Sequence, residues 1–229
     1  GKMKLNAKSE MNELKNLADK NRAKHELNDQ ITKRLEEIGQ ASNPEDFFAP
    51  CYNLAQTCRQ SDVMLGYIYT IGISFKDGWD DGKKRQILSV AKRHFHESAS
   101  SIKQSNYILR KALELIAVMD TDFVDYYTKY LERVPNERDQ LKQEMFRFVT
   151  LYEPDDSKVA KFFETFFKVS DLNRWVADIL IQRYGRGTSK ENQSKLSKLV
   201  KELLNGLKVQ DRASVPGYLV VLIAELCSN

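Results

Sequence analysis

The chain has 229 residues, 41% hydrophobic and 30% charged, with a formal net charge of +4. That length suits one domain or one domain with an appendage, the apolar share is enough for a core, and the mild basicity excludes a histone-like balance. Five prolines and ten glycines are too few for a turn-rich all-β chain, and the longest apolar run, Tyr218 to Ala224, is far short of the ~20 residues a membrane span needs.

In chain order, the lysine-rich start has no apolar stretch of the kind a secretory signal carries, so none is expected. Residues 8–39 read as one long helix or two collinear ones. Met11, Leu14 and Leu17 form one apolar patch, and Leu27, Ile31, Leu35 and Ile38 form another. Between them, Asn21 to Glu26 is polar on nearly every side, which suits an extended arm or a helix packed along the remaining chain. Residues 1–40 are therefore set apart as an N-terminal helical arm, and 41–229 as a compact helical domain.

Asn43-Pro44-Glu45-Asp46 is a helix start, with a cap residue, proline at the first position and acids in the first turn. Pro50 predicts a kink or restart soon after. Val63 to Phe75 is apolar on almost all sides, as in a buried central helix. The stretch that follows, F-K-D-G-W-D-D-G-K-K-R from Phe75 to Arg85, invites comparison with a calcium loop. Counted from Asp77, Asp81 and Gly82 fall at positions five and six, but Trp79 and Leu88 stand where two ligands belong. The stretch therefore predicts a corner: Asp77-Gly78 turns the chain, Asp80 or Asp81 caps the next helix, and Trp79 packs across.

Helices are then predicted near 81–98, 103–119, 121–133, 136–152, 155–169, 171–184, 189–208 and 215–227. Pro135 and Pro154 open helices, Ser170-Asp171 caps one, Gly185 ends one, and Thr188 with Glu191 makes a capping box. No segment alternates with period two for long enough to be a strand. The expected fold class is all-α: about ten helices in a bundle or in stacked antiparallel pairs, with a long N-terminal helix.

Three cysteines, Cys51, Cys58 and Cys227, form an odd set that suits a reducing compartment, so a cytoplasmic or other intracellular setting is expected. Cys51 and Cys58 share a helix face, but seven residues rise ~10.5 Å, too far for a disulfide. His94 and His96 diverge by about 200° on one helix, so they do not form a metal pair. No serine-nucleophile elbow, zinc-protease motif or complete phosphate-binding loop occurs. No catalytic residue, cofactor or metal is assigned, and a binding role is expected over catalysis.

Two features carry binding hypotheses. Phe162, Phe163, Phe166 and Phe167 span about 140° of one helix, and Phe123, Tyr126, Tyr127 and Tyr130 make a similar arc. Such arcs face a core; in the sharper alternative, the four phenylalanines line a groove for a partner. The second feature is basic. From Arg183 to Arg212 there are eight Lys/Arg against three Asp/Glu. Lys190, Lys201 and Lys208 fall within about 20° of one another as a positive ridge. Gly185-Arg186-Gly187-Thr188 precedes the same helix, where Arg183, Arg186 and Lys190 suit a phosphate clamp; the alternative is a solvated helix capped by Thr188. The expected function is a helical protein–protein interaction or scaffold module. The alternative is a polyanion-binding domain, for nucleic acid or an anionic phospholipid head group, that uses residues 183–208.

Overall fold

The computed structural model describes residues 2–101, 105–135, 138–170, 174–185 and 189–206. Among them all regular structure is helical. The contacts cluster into two compact units, residues 1–123 and 124–229.

The first unit contains α1 (Ala7–Asn21), α2 (Asn28–Gly39), α3 (Phe48–Thr57), α4 (Val63–Ser74), α5 (Asp81–Ser98) and α6 (Asn106–Met119). Asn6 caps α1 by accepting from the Ser9 N–H at 2.9 Å, and Met11, Leu14 and Ala18 bury one stripe of it. Of the two readings of 8–39, one long helix or two collinear ones, the structure has two helices, and they pack on each other, because the polar stretch 22–26 offers no apolar face to continue along the core. Asn21 organises the break. Its side chain accepts from the Leu27 N–H at 2.8 Å and donates to Asn28 Oδ1 at 2.7 Å. At the far end of the pair, the Asn43 side chain bonds the Leu5 N–H and C=O at 2.9 and 2.7 Å, as a neighbouring strand would. Arg34 on α2 holds Glu10 and Glu13 of α1 at 2.8 and 2.5 Å. Both helices also pack on α4.

α4 is the central helix that its composition predicts. Asp62 caps it through the Met64 N–H, and it buries residues on every side. It packs most closely against α6, where Gly66 and Gly72 remove side chains from the contact. A Cβ on Gly66 would lie 2.5 Å from the Tyr107 ring, and one on Gly72 would lie 2.9 Å from Leu115. The Phe75–Arg85 stretch is a corner. Trp79 is buried, donates its indole N–H to the Pro44 carbonyl at 2.8 Å and meets Phe48 edge-on. Asp80 caps α5 by accepting from the Lys83 N–H at 2.9 Å.

The second unit contains α7 (Phe123–Tyr130, whose first residue closes unit one), α8 (Asp139–Tyr152), α9 (Asp156–Val169), α10 (Arg174–Tyr184) and α11 (Lys190–Gly206). Its core is aromatic. Phe146 of α8 stacks on Phe163 of α9 at 4.4 Å and lies 4.8 Å from Phe166. Burying each ring is worth about 1.5–3 kcal/mol, which holds α8 and α9 together. At the end of α9 the buried Lys142 ammonium donates to the Val169 carbonyl at 3.0 Å, and Ser170 Oγ donates to Asp139 at 2.6 Å. Ser170 is thus tied back to α8, and Asp171, expected to cap the next helix with it, lies outside the described residues. So does Thr188 of the expected capping box; Ser189 Oγ accepts from the Asn192 N–H at 3.2 Å. The helix expected at 215–227 also lies outside the described residues.

Candidate functional site

Three side chains converge on one carboxylate in the second unit. Asp156, in the first turn of α9, accepts from Arg183 Nη2 at 2.8 Å, from Tyr184 OH at 2.8 Å and from Lys195 Nζ at 2.8 Å. These bonds overcome partial burial and lower the Asp156 pKa to about 2. Burial, together with the bond to Asp156, raises the Tyr184 phenol pKa and keeps that group neutral. Arg183 further donates to the carbonyls of Thr150 and Glu153 at 2.7 and 2.6 Å. This guanidinium, which the sequence offers to an outside phosphate, is therefore committed to joining α8, α9 and α10.

The remaining basic candidates divide. Lys190 and Lys201 are exposed on α11, as is Lys198, while Arg186 and Lys208 lie outside the described residues. Lys195 also pairs with Glu191, one helical turn earlier, at 3.3 Å in addition to Asp156. Of the two readings of the four phenylalanines, core face or partner groove, burial favours the core. Phe162, Phe163 and Phe166 are buried at 1%, 2% and 0% exposure, because α8 already covers that face, and Phe167 is half-buried beside them.

A different place has the shape of a site. A cleft of about 640 Å³ opens in the first unit between α1, α2, the loop before α4 and the start of α6. Its apolar lining includes Ala18, Ile31, Leu35 and Val63. Tyr67 and Tyr107 continue it, ring centroids 6.1 Å apart and edge to face. Burial raises the pKa of both phenols, so they stand as neutral hydrogen-bonding groups on an apolar wall. The Arg110 guanidinium lies 5.8 Å from the Tyr107 ring centroid.

The rim is polar. His25 sits there at φ 56°, in the left-handed region, directly in the turn that Asn21 organises. Arg22 and Arg59 are exposed on the same rim. Its carboxylate, Asp62, is engaged twice: Oδ1 caps α4 at 3.0 Å, and Oδ2 accepts from Arg22 at 3.4 Å. No protein-family model, curated protein or solved structure matches this chain.

The loop that carries Arg59, Ser61 and Asp62 is held from behind. His94 on α5 is buried, its Nε2 is 3.0 Å from the Gln60 carbonyl, and its Nδ1 is 3.2 Å from Tyr69 OH. A carbonyl only accepts, so Nε2 carries the hydrogen and Nδ1 accepts from the tyrosine. Burial lowers the His94 pKa and keeps this ring neutral. The Gln60 side chain adds bonds to Glu97 and Ser98, which complete a clamp between the loop and α5.

No group of three His, Cys, Asp or Glu among the described residues converges as a metal would need. Burial raises the pKa of both described cysteines, Cys58 to about 11, so the thiols stay protonated and unreactive. No helix among the described residues is long and apolar enough to cross a membrane. Sequence reasoning missed the cleft because its lining is drawn from residues 18 to 107. The usable signal was the polar stretch 21–26, an interruption too abrupt for a continuing helix.

Proposed function

We propose that this chain is a helical protein-binding module and that the cleft of the first unit is its recognition surface. The observation that carries the proposal is the cleft's composition: an apolar, tyrosine-bearing lining under a rim of exposed arginines and a histidine. Tyrosine and arginine are the residue types that dominate protein recognition, because each joins a large contact area to directed hydrogen bonds. The loop that forms one wall is fixed in advance by the His94 clamp, which reduces the ordering cost of binding.

The test compares proteins captured by the wild-type chain with those captured by Arg59→Glu and Tyr107→Leu. A partner of this cleft is lost from both variants and retained by Lys190→Gln, while the melting midpoints of all four proteins stay close together. Equal capture by all four would refute the cleft as the recognition surface.

A second reading rests on the exposed lysines of α11. Lys190, Lys198 and Lys201 lie within about 80° of one another around the helix, a spacing that suits the phosphates of a nucleic acid or an acidic lipid surface. Replacing the three with glutamine should abolish any salt-sensitive binding to RNA, DNA or acidic vesicles and leave the melting midpoint in place. If the wild type shows no such binding, these lysines are a solvated face.

A further inference from the structure

We infer that the partner segment received by the first-unit cleft is acidic, with an apolar side chain beside its carboxylates. The inference rests on the cleft being the recognition surface and adds the chemistry of its occupant. The charge of the rim complements such a segment. Arg22 and Arg59 stand on the rim with the ring of His25, and both guanidiniums are exposed. Asp62 is the carboxylate in the lining; its oxygens already serve the α4 cap and Arg22, and its side chain is only 21% exposed. Arg22 is further shared with Asp19 at 3.3 Å. Arg59 forms no ion pair among the described residues, so its charge is the one most open to an incoming carboxylate.

A lysine- or arginine-rich segment would place like charges beside Arg59 and Arg22 and meet no uncommitted acid in the lining. A purely apolar segment would leave the rim guanidiniums partly desolvated without partners, which is costly. An acidic segment with one leucine or phenylalanine satisfies both layers: a carboxylate reaches the guanidinium fork, and the apolar side chain covers Ile31 and the Tyr67–Tyr107 pair.

The backbone at His25 adds a separate observation. A non-glycine residue in the left-handed region carries strain that glycine would not. This turn places His25 in the lining of the cleft.

The test uses the full chain and three fluorescein-labelled pools of short peptides that alternate leucine or phenylalanine with aspartate or glutamate, with serine, or with lysine. Binding is read by anisotropy over a salt series and by amide chemical shifts at residues 18–35 and 58–67. The acidic pool should bind at least about tenfold more tightly than the serine pool and weaken with salt. Arg59→Glu should remove that preference, whereas Lys190→Gln should not. Preference for the lysine pool, or an acidic preference untouched by Arg59→Glu, would overturn the inference. If the serine pool binds as tightly as the acidic pool and shifts the same amides, the acidic inference fails while the cleft remains a recognition surface. If no pool shifts them, both fail.

Discussion

Asp156 concentrates more polar contacts than any other carboxylate described in the second unit, and its effect on stability follows from its proton. The folded carboxyl titrates at about 2, below its ordinary value of 3.8. Between those values the unfolded chain binds more protons than the folded one, so stability rises with pH through that window. The contribution is complete above about pH 4 and lost as the pH falls toward 2. Because the group borders solvent, its worth is discounted to roughly 1 kcal/mol. Asp156→Asn should lower stability at neutral pH by that order and flatten the acid limb of urea melts; a variant with the wild-type acid profile would show that the lowered pKa contributes nothing. His25 makes the opposite case. His25→Gly should raise stability by up to about 1 kcal/mol, because glycine occupies the left-handed region without steric cost. A destabilised glycine variant in the same melts would mean that the imidazole makes contacts worth more than the strain.

At the scale of elements, the first unit is organised by pairs of helices and by the polar clamps between them. The clamp with the clearest consequence joins α5 to the loop before α4. His94 is neutral in the fold, with its pKa lowered by burial and both ring nitrogens engaged. The unfolded histidine takes up a proton near pH 6.5, so the unfolded state binds more protons below that value. Stability from this site is therefore full above about pH 6.5 and declines as the pH falls below it. Glu97 and Arg93 are the charged neighbours of the network. His94→Gln should make the pH slope of stability shallower between about pH 5 and 7 and quicken amide exchange over residues 59–62. An unchanged slope would assign the pH response to other groups. Since Arg59 and Asp62 stand on that loop, the same variant should also weaken binding at the cleft.

At the scale of the whole molecule, the contacts divide after Phe123, and each unit has its own buried core. The first unit closes its N-terminal hairpin through Asn43 and Arg34 and centres on α4. A unit of about 120 residues with its own core is of a size that folds alone. A fragment of residues 1–123 should be helical and melt cooperatively, and it should retain the cleft. A molten or aggregating fragment would show that the first unit depends on the rest of the chain.

The sequence by itself determined the class of fold and most element positions. Helical period, cap residues and scarce turn residues are local signals, and 63–75 and 81–98 match the observed α4 and α5 to within a residue because Asp62 and Asp80 cap them locally. It determined the corner at Trp79 for the same reason: missing ligands are visible in the chain itself. What the tertiary structure decided is what each charged or aromatic residue faces. Arg183 and Lys195 look alike with Lys190 in the chain, yet Asp156 lies many residues away from both and takes them out of the surface pool. The phenylalanines of α9 become core because α8 supplies Phe146 across from them. The cleft exists only because a short polar turn folds α2 back along α1 and a loop pinned by His94 closes one side. Periodicity reports which face of a helix is apolar; only packing decides whether that face is filled by the chain or left for a partner.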